Sequence, residues 1–275
     1  ADGGLGFDFT RVTIGASDGT QTATRAFTVT VTNVNEAPVL APTASVAIDE
    51  NQTAVTTIAA TDPDAGQTLV YAIVGGADGG RFTIGAATGQ FSFRSAPDYE
   101  SGQTSYQVQV LASDGSLATT QMVTVTVRNV DEAPRITAPS AVTVAENGST
   151  VMTVTASDPE GAALTYSVTG GADANRFAIS AAGVLSFVSA PDYESGNRTN
   201  QVQVSVSDGT NTSVQTIQVS VSDVNEAPIV TTAAFSINEN ATAAGTVQAS
   251  DPEGATLVYA IAGGTDATLF NIDSA

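Results

Sequence analysis

The sequence predicts an all-β protein made of tandem seven-stranded Greek-key sandwiches. Three observations support this prediction: short segments alternate apolar and polar residues, turn residues separate them, and a set of motifs recurs along the chain. Alternation with a period of two is typical of strands that have one buried and one wet face. Short strands between turns favour a sandwich of two antiparallel sheets.

Within one repeat, the pattern predicts seven strands, at about 44–48, 54–60, 68–74, 81–84, 90–94, 104–112 and 119–128. The clearest is 106–112, which reads Tyr-Gln-Val-Gln-Val-Leu-Ala, and β-branched residues at alternate positions suit a half-buried pleated surface. No segment has the pattern of a long amphipathic helix. The candidate core residues are Tyr71, Ile73, Phe82, Ile84, Phe91, Phe93, Val108 and Val125.

A linker motif sets the period of the repeat. Asn-Val-Asn-Glu-Ala-Pro at 33–38 returns with conservative changes at 129–134 and 223–228, so the spacings are 96 and 94 residues. We therefore predict four sections. Residues 1–32 are the C-terminal part of a repeat, 33–128 and 129–222 are complete repeats, and 223–275 is the N-terminal half of a further one. We expect the partial repeats to be poorly stable alone, and the chain to be part of a longer protein.

Composition excludes several classes of function. The 275 residues include 28 acidic side chains against 8 basic ones, a net charge of −20, and no His, Cys or Trp. An acidic surface disfavours nucleic acid and anionic membranes as partners. Without His or Cys, the chain lacks the usual ligands of zinc and haem and cannot form a Ser–His or Cys–His nucleophile. No apolar run approaches the ~18 residues of a membrane span.

The acidic residues concentrate in motifs that recur in phase. These are Glu-Asn at 50, 146 and 239, Asp-Pro-Asp or Asp-Pro-Glu at 62, 158 and 251, Asp-Tyr-Glu at 98 and 192, and Ser-Asp-Gly at 17, 113 and 207. Asp98 and Glu100 are two residues apart, so an extended backbone would point both carboxylates the same way. Oxygen-only ligands are typical of calcium rather than of transition metals. Gly-Gly-Ala-Asp, at 75–78 and 170–173, also recurs, and we interpret it as a tight turn.

Along each complete repeat, Glu-Asn, Asp-Pro-Asp or Asp-Pro-Glu, Asp-Tyr-Glu, Ser-Asp-Gly and the linker motif follow one another. This order of motifs resembles the cadherin repeats of bacterial-type surface adhesins, and the resemblance covers the whole chain. It implies an immunoglobulin-like or cadherin-like sandwich whose linkers bind Ca²⁺ between successive repeats. For the joint between the two complete repeats, it implies the ligands Glu50, Asp98, Glu100, Asn129, Asp131, Glu132, Asp158, Glu160 and Asp208. For the next joint, it implies Glu146, Asp192, Glu194, Asp223, Asn225, Glu226, Asp251 and Glu253.

The first joint keeps only the ligands from the linker and the following repeat, so we expect its site to be weak or empty. These residues are Asn33, Asn35, Glu36, Asp62, Asp64 and Asp114. The linkers also depart from the family pattern, because Ala133 and Ala227 can offer only a backbone carbonyl. We therefore expect two ions per joint rather than the three of the family.

These features favour a calcium-stiffened adhesin or stalk at the cell surface, attached through a part outside this sequence. Its first partners are the neighbouring repeats, and another cell-surface protein or a glycan is the candidate adhesion partner. Two alternatives are a carbohydrate-binding or accessory module of a secreted enzyme and a metal-independent spacer. Asp98 and Glu100 could also form a glycosidase pair, but the pair recurs in the next repeat, so we expect no enzyme activity.

Overall fold

The computed structural model describes residues 8–30, 32–64 and 66–273. The chain divides into two compact units, and each is described by itself. The first, Ala1–Val130, is called the N-unit, and the second, Asp131–Ala275, is called the C-unit. Within the described ranges, no helix is long and apolar enough to cross a bilayer.

The N-unit contains a hairpin followed by a two-sheet sandwich. The hairpin is β1 (Asp8–Ser17) and β2 (Thr22–Thr30). The sandwich strands are β3 (Val39–Leu40), β4 (Ser45–Asp49), β5 (Ala54–Thr57), β6 (Ala60–Thr61), β7 (Val70–Gly75), β8 (Phe82–Ile84), β9 (Gln90–Phe93), β10 (Ser105–Ser113) and β11 (Ala118–Arg128). A single 3-10 turn, Gly79–Arg81, precedes β8. The predicted strand 54–60 is divided into β5 and β6, and β3 was not predicted.

The sheets of this sandwich have the orders β4-β11-β10-β7 and β5-β9-β8, and β3 pairs with β6. The predicted antiparallel pairing is wrong for one pair, because β4 runs parallel to β11. Alternation of apolar residues shows which side of a strand is buried, but not the direction of its neighbour. β4, near the start of the repeat, therefore lies beside β11, the last strand, and the end of β4 reaches the start of the following linker.

The core between the sheets combines contacting aromatic rings with aliphatic side chains. Phe82 stacks on Phe91 with ring centroids 4.9 Å apart, and Phe93 meets Tyr106 edge-on at 5.0 Å. Such pairs stabilise a core beyond the area they bury. Of the predicted core residues, five are buried and three are partly buried against the same cluster, which confirms the assignment of these aromatics to packing.

The C-unit repeats this arrangement. Its strands are β12 (Arg135–Ile136), β13 (Ala141–Ala145), β14 (Thr150–Thr153), β15 (Ala156–Ser157), β16 (Thr165–Gly170), β17 (Phe177–Ile179), β18 (Val184–Phe187), β19 (Thr199–Ser207), β20 (Thr212–Ser222), β21 (Ile229–Val230) and β22 (Ala249–Ser250). The sheet orders are β13-β20-β19-β16 and β14-β18-β17, with β13 parallel to β20. The 3-10 turns Ala174–Arg176 and Ala267–Leu269 occupy matching positions.

The β1–β2 hairpin and the segment after β20 bury less of their apolar surface than the two sandwiches do. Val12 in the β1–β2 hairpin is 52% exposed, whereas Val108 at the matching position of β10 is fully buried. Phe270 is 59% exposed, whereas the matching Phe177 is 5% exposed. The low stability of these parts stays a prediction, which this exposure supports.

The Gly-Gly-Ala-Asp motif forms the tight turn that its composition indicates. Gly171 has a φ of 102°, a conformation that favours glycine, and its backbone lies against β19. The Asp173 N–H donates to the carbonyl of Gln201 at 3.0 Å, and the Gln201 N–H donates to the Asp173 carboxylate at 2.8 Å. This aspartate therefore extends the ladder of β19, which explains its recurrence without a metal.

Candidate metal centre

The acidic residues around the linker 223–228 converge within the C-unit. Glu146, Glu194 and Asp223 each offer a carboxylate oxygen, and these three oxygens all lie within 4.8 Å of one another. Glu194, Glu226 and Glu253 form a second set with the same limit. Glu194 belongs to both sets, so we treat them as one group of five residues, called the linker cluster.

Glu146 is held at the cluster by strand pairing. It directly follows β13, and its N–H donates to the carbonyl of Ser222 at the end of β20, at 3.1 Å. Its side chain is only 4% exposed. The carboxylate accepts the N–H of Tyr193 at 2.6 Å and that of Val224 at 2.8 Å. A carboxylate has about four lone-pair sites, so these two bonds leave capacity for a cation.

Glu194 reaches the cluster from a turn, not from an extended segment. Asp192 accepts the N–H of Ser195 at 3.1 Å, and Asp98 accepts that of Ser101 at the same distance. The backbone therefore bends at both Asp-Tyr-Glu motifs, and the prediction that an extended backbone aligns the two acids is wrong. Asp192 holds the turn and lies outside both sets, while Glu194 belongs to both.

Glu226, in the linker, lies against Glu253, which follows the linker in sequence. The Glu226 N–H donates to Glu253 Oε1 at 3.0 Å, and Asn147 Nδ2 donates to the Glu226 carboxylate. A hydrogen bond between the two carboxyl groups raises the pKa of Glu226 to about 7 and lowers the pKa of Glu253, so the pair shares a proton that lies mainly on Glu226. Two carboxyl groups that share a proton are typical of acids too close for both to ionise.

Two further observations fit a cation here. The buried Oε2 atoms of Glu226 and Glu253 have no hydrogen-bond partner among the described residues. The pKa of the Glu194 carboxyl is raised, although the side chain is largely exposed. The main cause is local desolvation of the carboxyl, and the negative charges of Glu146 and Asp223 add to it. Buried polar atoms are normally paired, and hard oxygen donors of this kind suit Ca²⁺. The residues present therefore fit the ion.

The other ligands predicted for this joint have structural partners instead. Asp251 accepts the N–H of Ala255 at 3.0 Å and is not part of either set. Asn225 Nδ2 donates to the carbonyl of Glu226 at 3.1 Å. Both residues lie beside the cluster in sequence, and the Asp251 carboxylate and the Asn225 amide nitrogen shape its loops.

At the first linker, the carboxylates of Asp64 and Asp114 accept hydrogen bonds from asparagine side chains. Asn33 Nδ2 donates to Asp64 at 2.5 Å, Asn35 Nδ2 donates to Asp114 at 2.8 Å, and the Glu36 N–H donates to Asp64 at 2.9 Å. The bond from Asn33, followed by that from the Glu36 N–H, lowers the pKa of Asp64. The backbone N–H of Leu117 also donates to Asp114, and this bond, followed by that from Asn35, lowers the pKa of Asp114. Asp62 uses one oxygen to accept the Asp64 N–H at 2.8 Å. In the described part of this linker, no set of three converging acids includes these residues.

The ligands predicted for the middle joint are divided between the two units. In the N-unit, Glu50 repeats the role of Glu146 and accepts the N–H groups of Tyr99 and Val130 at 2.7 and 2.8 Å. Asp98, Glu100 and Asn129 also belong to the N-unit, while Asp131, Glu132, Asp158, Glu160 and Asp208 belong to the C-unit. The assignment of these nine residues to one site stays a prediction.

Among the middle-joint residues that belong to the C-unit, one carboxylate oxygen holds a turn while other buried oxygens have no hydrogen-bond partner among the described residues. Asp208 Oδ1 accepts the N–H groups of Thr210 and Asn211 at 2.6 and 2.7 Å. The Asn211 side chain then donates to the carboxylate of Asp131 at 2.7 Å. The second oxygens of Asp158, Glu160 and Asp208 are buried and have no hydrogen-bond partner in the described ranges.

Two asparagines that contact linker acids, Asn147 and Asn211, were missed by the sequence prediction. Asn51, Asn147 and Asn240 also have positive φ values of 62°, 63° and 69°, which asparagine tolerates better than most residues. The recurrence of Glu-Asn was visible in the sequence, but the spatial neighbours of the amides were not.

Comparison with known proteins shows similarity to cadherin and bacterial Ig domains. The family model for a cadherin domain matches residues 44–128, and that for a bacterial Ig domain matches 131–221. Protocadherin Fat 4 of Mus musculus is 34% identical over 236 residues, which is 79% of this chain and 5% of that protein. Cadherin-99C of Drosophila melanogaster is 33% identical over 72% of this chain and 12% of that protein. Chitinase A of Pseudoalteromonas piscicida is 36% identical over 46% of this chain and 15% of that protein.

Among solved structures, mouse cadherin-23 EC22-24 is similar at 22% identity with a TM-score of 0.40, over 75% of this chain and 72% of that one. Human protocadherin-24 EC1-2 is similar at 22% identity with a TM-score of 0.45, over 69% of this chain and all of that one. The chain spans a small part of the length of its curated relatives. Residues 44–128 match a cadherin domain, residues 131–221 match a bacterial Ig domain, and the two sandwiches have the same topology, so the chain fits the cadherin-like repeats of bacterial-type surface proteins.

Proposed function

We propose that the chain binds Ca²⁺ at the linker cluster, and that bound calcium stiffens the joint between its repeats. The observation that carries this proposal is the convergence of five acids that lie in three parts of the C-unit, before, within and after the linker 223–228. Glu146 and Glu194 precede the linker, Asp223 and Glu226 lie in it, and Glu253 follows it. A cluster that draws on all three segments links the repeat before the linker to the residues after it.

Charge explains why the joint needs a cation. Two carboxylates about 4 Å apart repel by about 4 kcal/mol at an effective dielectric constant near 20. The shared proton on Glu226 and Glu253 relieves one such contact, and Asn147 relieves another. When bound, a divalent ion neutralises the remaining charge and accepts the unpaired oxygens as ligands. Glu146 meanwhile keeps its buried position through its backbone partners.

The in-phase motifs extend the proposal to the middle joint, with Glu50, Glu100, Glu132 and Glu160 as the counterparts in sequence of Glu146, Glu194, Glu226 and Glu253. We also propose the repeat boundaries 33–128 and 129–222, which the two family matches support. At the first linker we propose weak binding, because the amides of Asn33 and Asn35 already use its carboxylates.

Calcium titration followed by calorimetry tests the proposal. Extracellular modules bind at about 10⁻⁴ to 10⁻³ M, so 10 mM calcium, about 100 times the lower value, should stabilise the joint by about 2.7 kcal/mol. Glu226→Gln should weaken binding by about tenfold, because it removes a charged ligand. Glu239→Gln removes the same charge from an exposed residue outside the cluster and should bind like the parent protein. Equal melting temperatures in calcium and in chelator would favour the metal-independent spacer.

We further propose that these repeats act at the cell surface as an adhesin or stalk, with another surface protein or a glycan as partner. The cadherin family match and the cadherin relatives support this role. Small-angle scattering with and without calcium tests the stiffening, and an unchanged maximum dimension would contradict it.

The similarity to chitinase A supports a second candidate, an accessory module of a secreted enzyme. This function needs exposed aromatic rings on one face to stack on sugars, whereas Phe82, Phe91 and Phe93 are core residues. Binding to chitin that persists in chelator would favour this candidate over the adhesin.

A further inference from the structure

Two backbone amides of the linker point to carboxylates on opposite sides. The Val224 N–H donates to Glu146 Oε1 at 2.8 Å, and Glu146 precedes the linker. The Glu226 N–H donates to Glu253 Oε1 at 3.0 Å, and Glu253 follows the linker. Only Asn225 separates the two donors.

The attachment on the preceding side is deeply buried. Glu146 is 4% exposed and also accepts the Tyr193 N–H at 2.6 Å, so one carboxylate joins the end of β13, the Asp-Tyr-Glu turn and the linker. Hydrogen bonds from backbone N–H groups to a carboxylate are among the stronger ones in proteins. Removal of that carboxylate would leave two amides without their acceptor.

Both attachments recur at the equivalent positions of the other linkers. Glu50 is 2% exposed and accepts the Val130 N–H at 2.8 Å, as Glu146 does for Val224. On the following side, the Glu36 N–H donates to Asp64 at 2.9 Å, as Glu226 does to Glu253. Recurrence in register at separate linkers indicates a feature of the repeat rather than a chance contact.

We infer that the linker 223–228 is attached to both flanking segments by carboxylate–amide bonds that need no metal. The two bonds attach the linker backbone at two points, and bound calcium would stiffen the joint further by bringing the side chains of the cluster together. Glu146 and Glu253 are therefore positioning residues in the absence of the ion, whatever their role in its presence.

Amide hydrogen exchange of the full chain in EDTA tests this inference, and it does not depend on calcium binding. The Val224 and Glu226 amides should exchange at least about tenfold more slowly than unfolded-chain rates, as hydrogen-bonded amides do. Glu253→Ala should accelerate exchange of Glu226 and leave Val224 slow. Glu146→Ala should accelerate exchange of Val224 and Tyr193, provided that the β19 amides stay protected and show that the repeat is folded.

Glu194→Gln is the matched control, because it removes a cluster charge without removing an acceptor of either amide, and both amides should stay slow. Two results would overturn the inference. One is that Val224 and Glu226 exchange at unfolded rates in EDTA while β19 stays protected. The other is that Glu253→Ala leaves the Glu226 rate unchanged. Since all measurements are made in chelator, a failed calcium titration would leave this outcome unaffected.

Discussion

Replacement of Gly171 by alanine should destabilise the second complete repeat more than its backbone conformation alone would suggest. A Cβ atom there would lie 2.5 Å from the carbonyl oxygen of Gln201, 2.7 Å from Val202 Cα and 2.9 Å from the nitrogen of Gln203. All three atoms belong to the backbone of β19, so no flexible side chain can move aside. The turn must separate from the strand, or the strand must shift.

Gly209 provides a matched control. Its φ is 109°, close to the 102° of Gly171, but a Cβ there would have no atom within 4 Å. Alanine at a left-handed position costs about 1–2 kcal/mol, and we expect this loss for Gly209→Ala. Gly171→Ala adds overpacking of about 1–3 kcal/mol, so its total should be about 2–5 kcal/mol.

Native-state hydrogen exchange of the β19 amides measures both values in the full chain, because it reports the opening free energy of that repeat alone. Unfolding of the whole chain would mix several repeats in one transition. If Gly171→Ala lowers the opening free energy no more than Gly209→Ala does, the close approach of the turn to β19 is not what requires glycine.

Three further predictions concern packing and titration. Phe177→Ala should lower the opening free energy of its repeat by about 3–5 kcal/mol, whereas Phe270→Ala, at the matching but exposed position, should change stability by less than about 1 kcal/mol in the same measurement. Calcium affinity at the linker cluster should rise between about pH 6 and pH 8, because the hydrogen bond to Glu253 raises the pKa of Glu226 to about 7 and the proton must leave before the ion binds. Calorimetric titrations in two buffers should detect this proton release, which Glu226→Gln should abolish. The Asp18 carboxyl should titrate near about 2 in a carbon-detected NMR titration, because the N–H groups of Gln21 and Thr20 lower its pKa from 3.8. Its contribution to hairpin stability should be complete above the unfolded pKa and lost as the pH falls toward 2, and a midpoint near 3.8 would show that the turn is not formed.

The strand pattern was predictable because it depends on local chemistry. The alternation in 106–112 places Val108 and Val110 on one face, and both are fully buried in β10. The same reasoning could not predict the parallel pairing of β4 with β11, because the direction of a neighbouring strand depends on the path of the chain between them. It also failed at Asp98 and Glu100, where the assumed extended backbone is a turn held by the aspartate itself.

For the linker residues, the sequence identified most of the acids but not their separate tasks. Glu146, Glu194, Asp223, Glu226 and Glu253 were predicted and do converge. Asp192 and Asp251 were predicted as ligands too, yet each accepts a backbone N–H in its own loop. A recurring acid can hold a turn or face a cation, and the one-dimensional pattern is the same for both.

The sequence by itself determined the repeat period, the sandwich class and the chemistry of the recurring side chains, since each of these is written in residue type and spacing. Only the tertiary structure decided which carboxylates meet, because contacts such as that between Glu146 and Val224 join residues far apart in the chain. Their distances depend on strand pairing and on turns that no local pattern encodes. The division of the acids between turns and cluster therefore became visible only after the chain was folded.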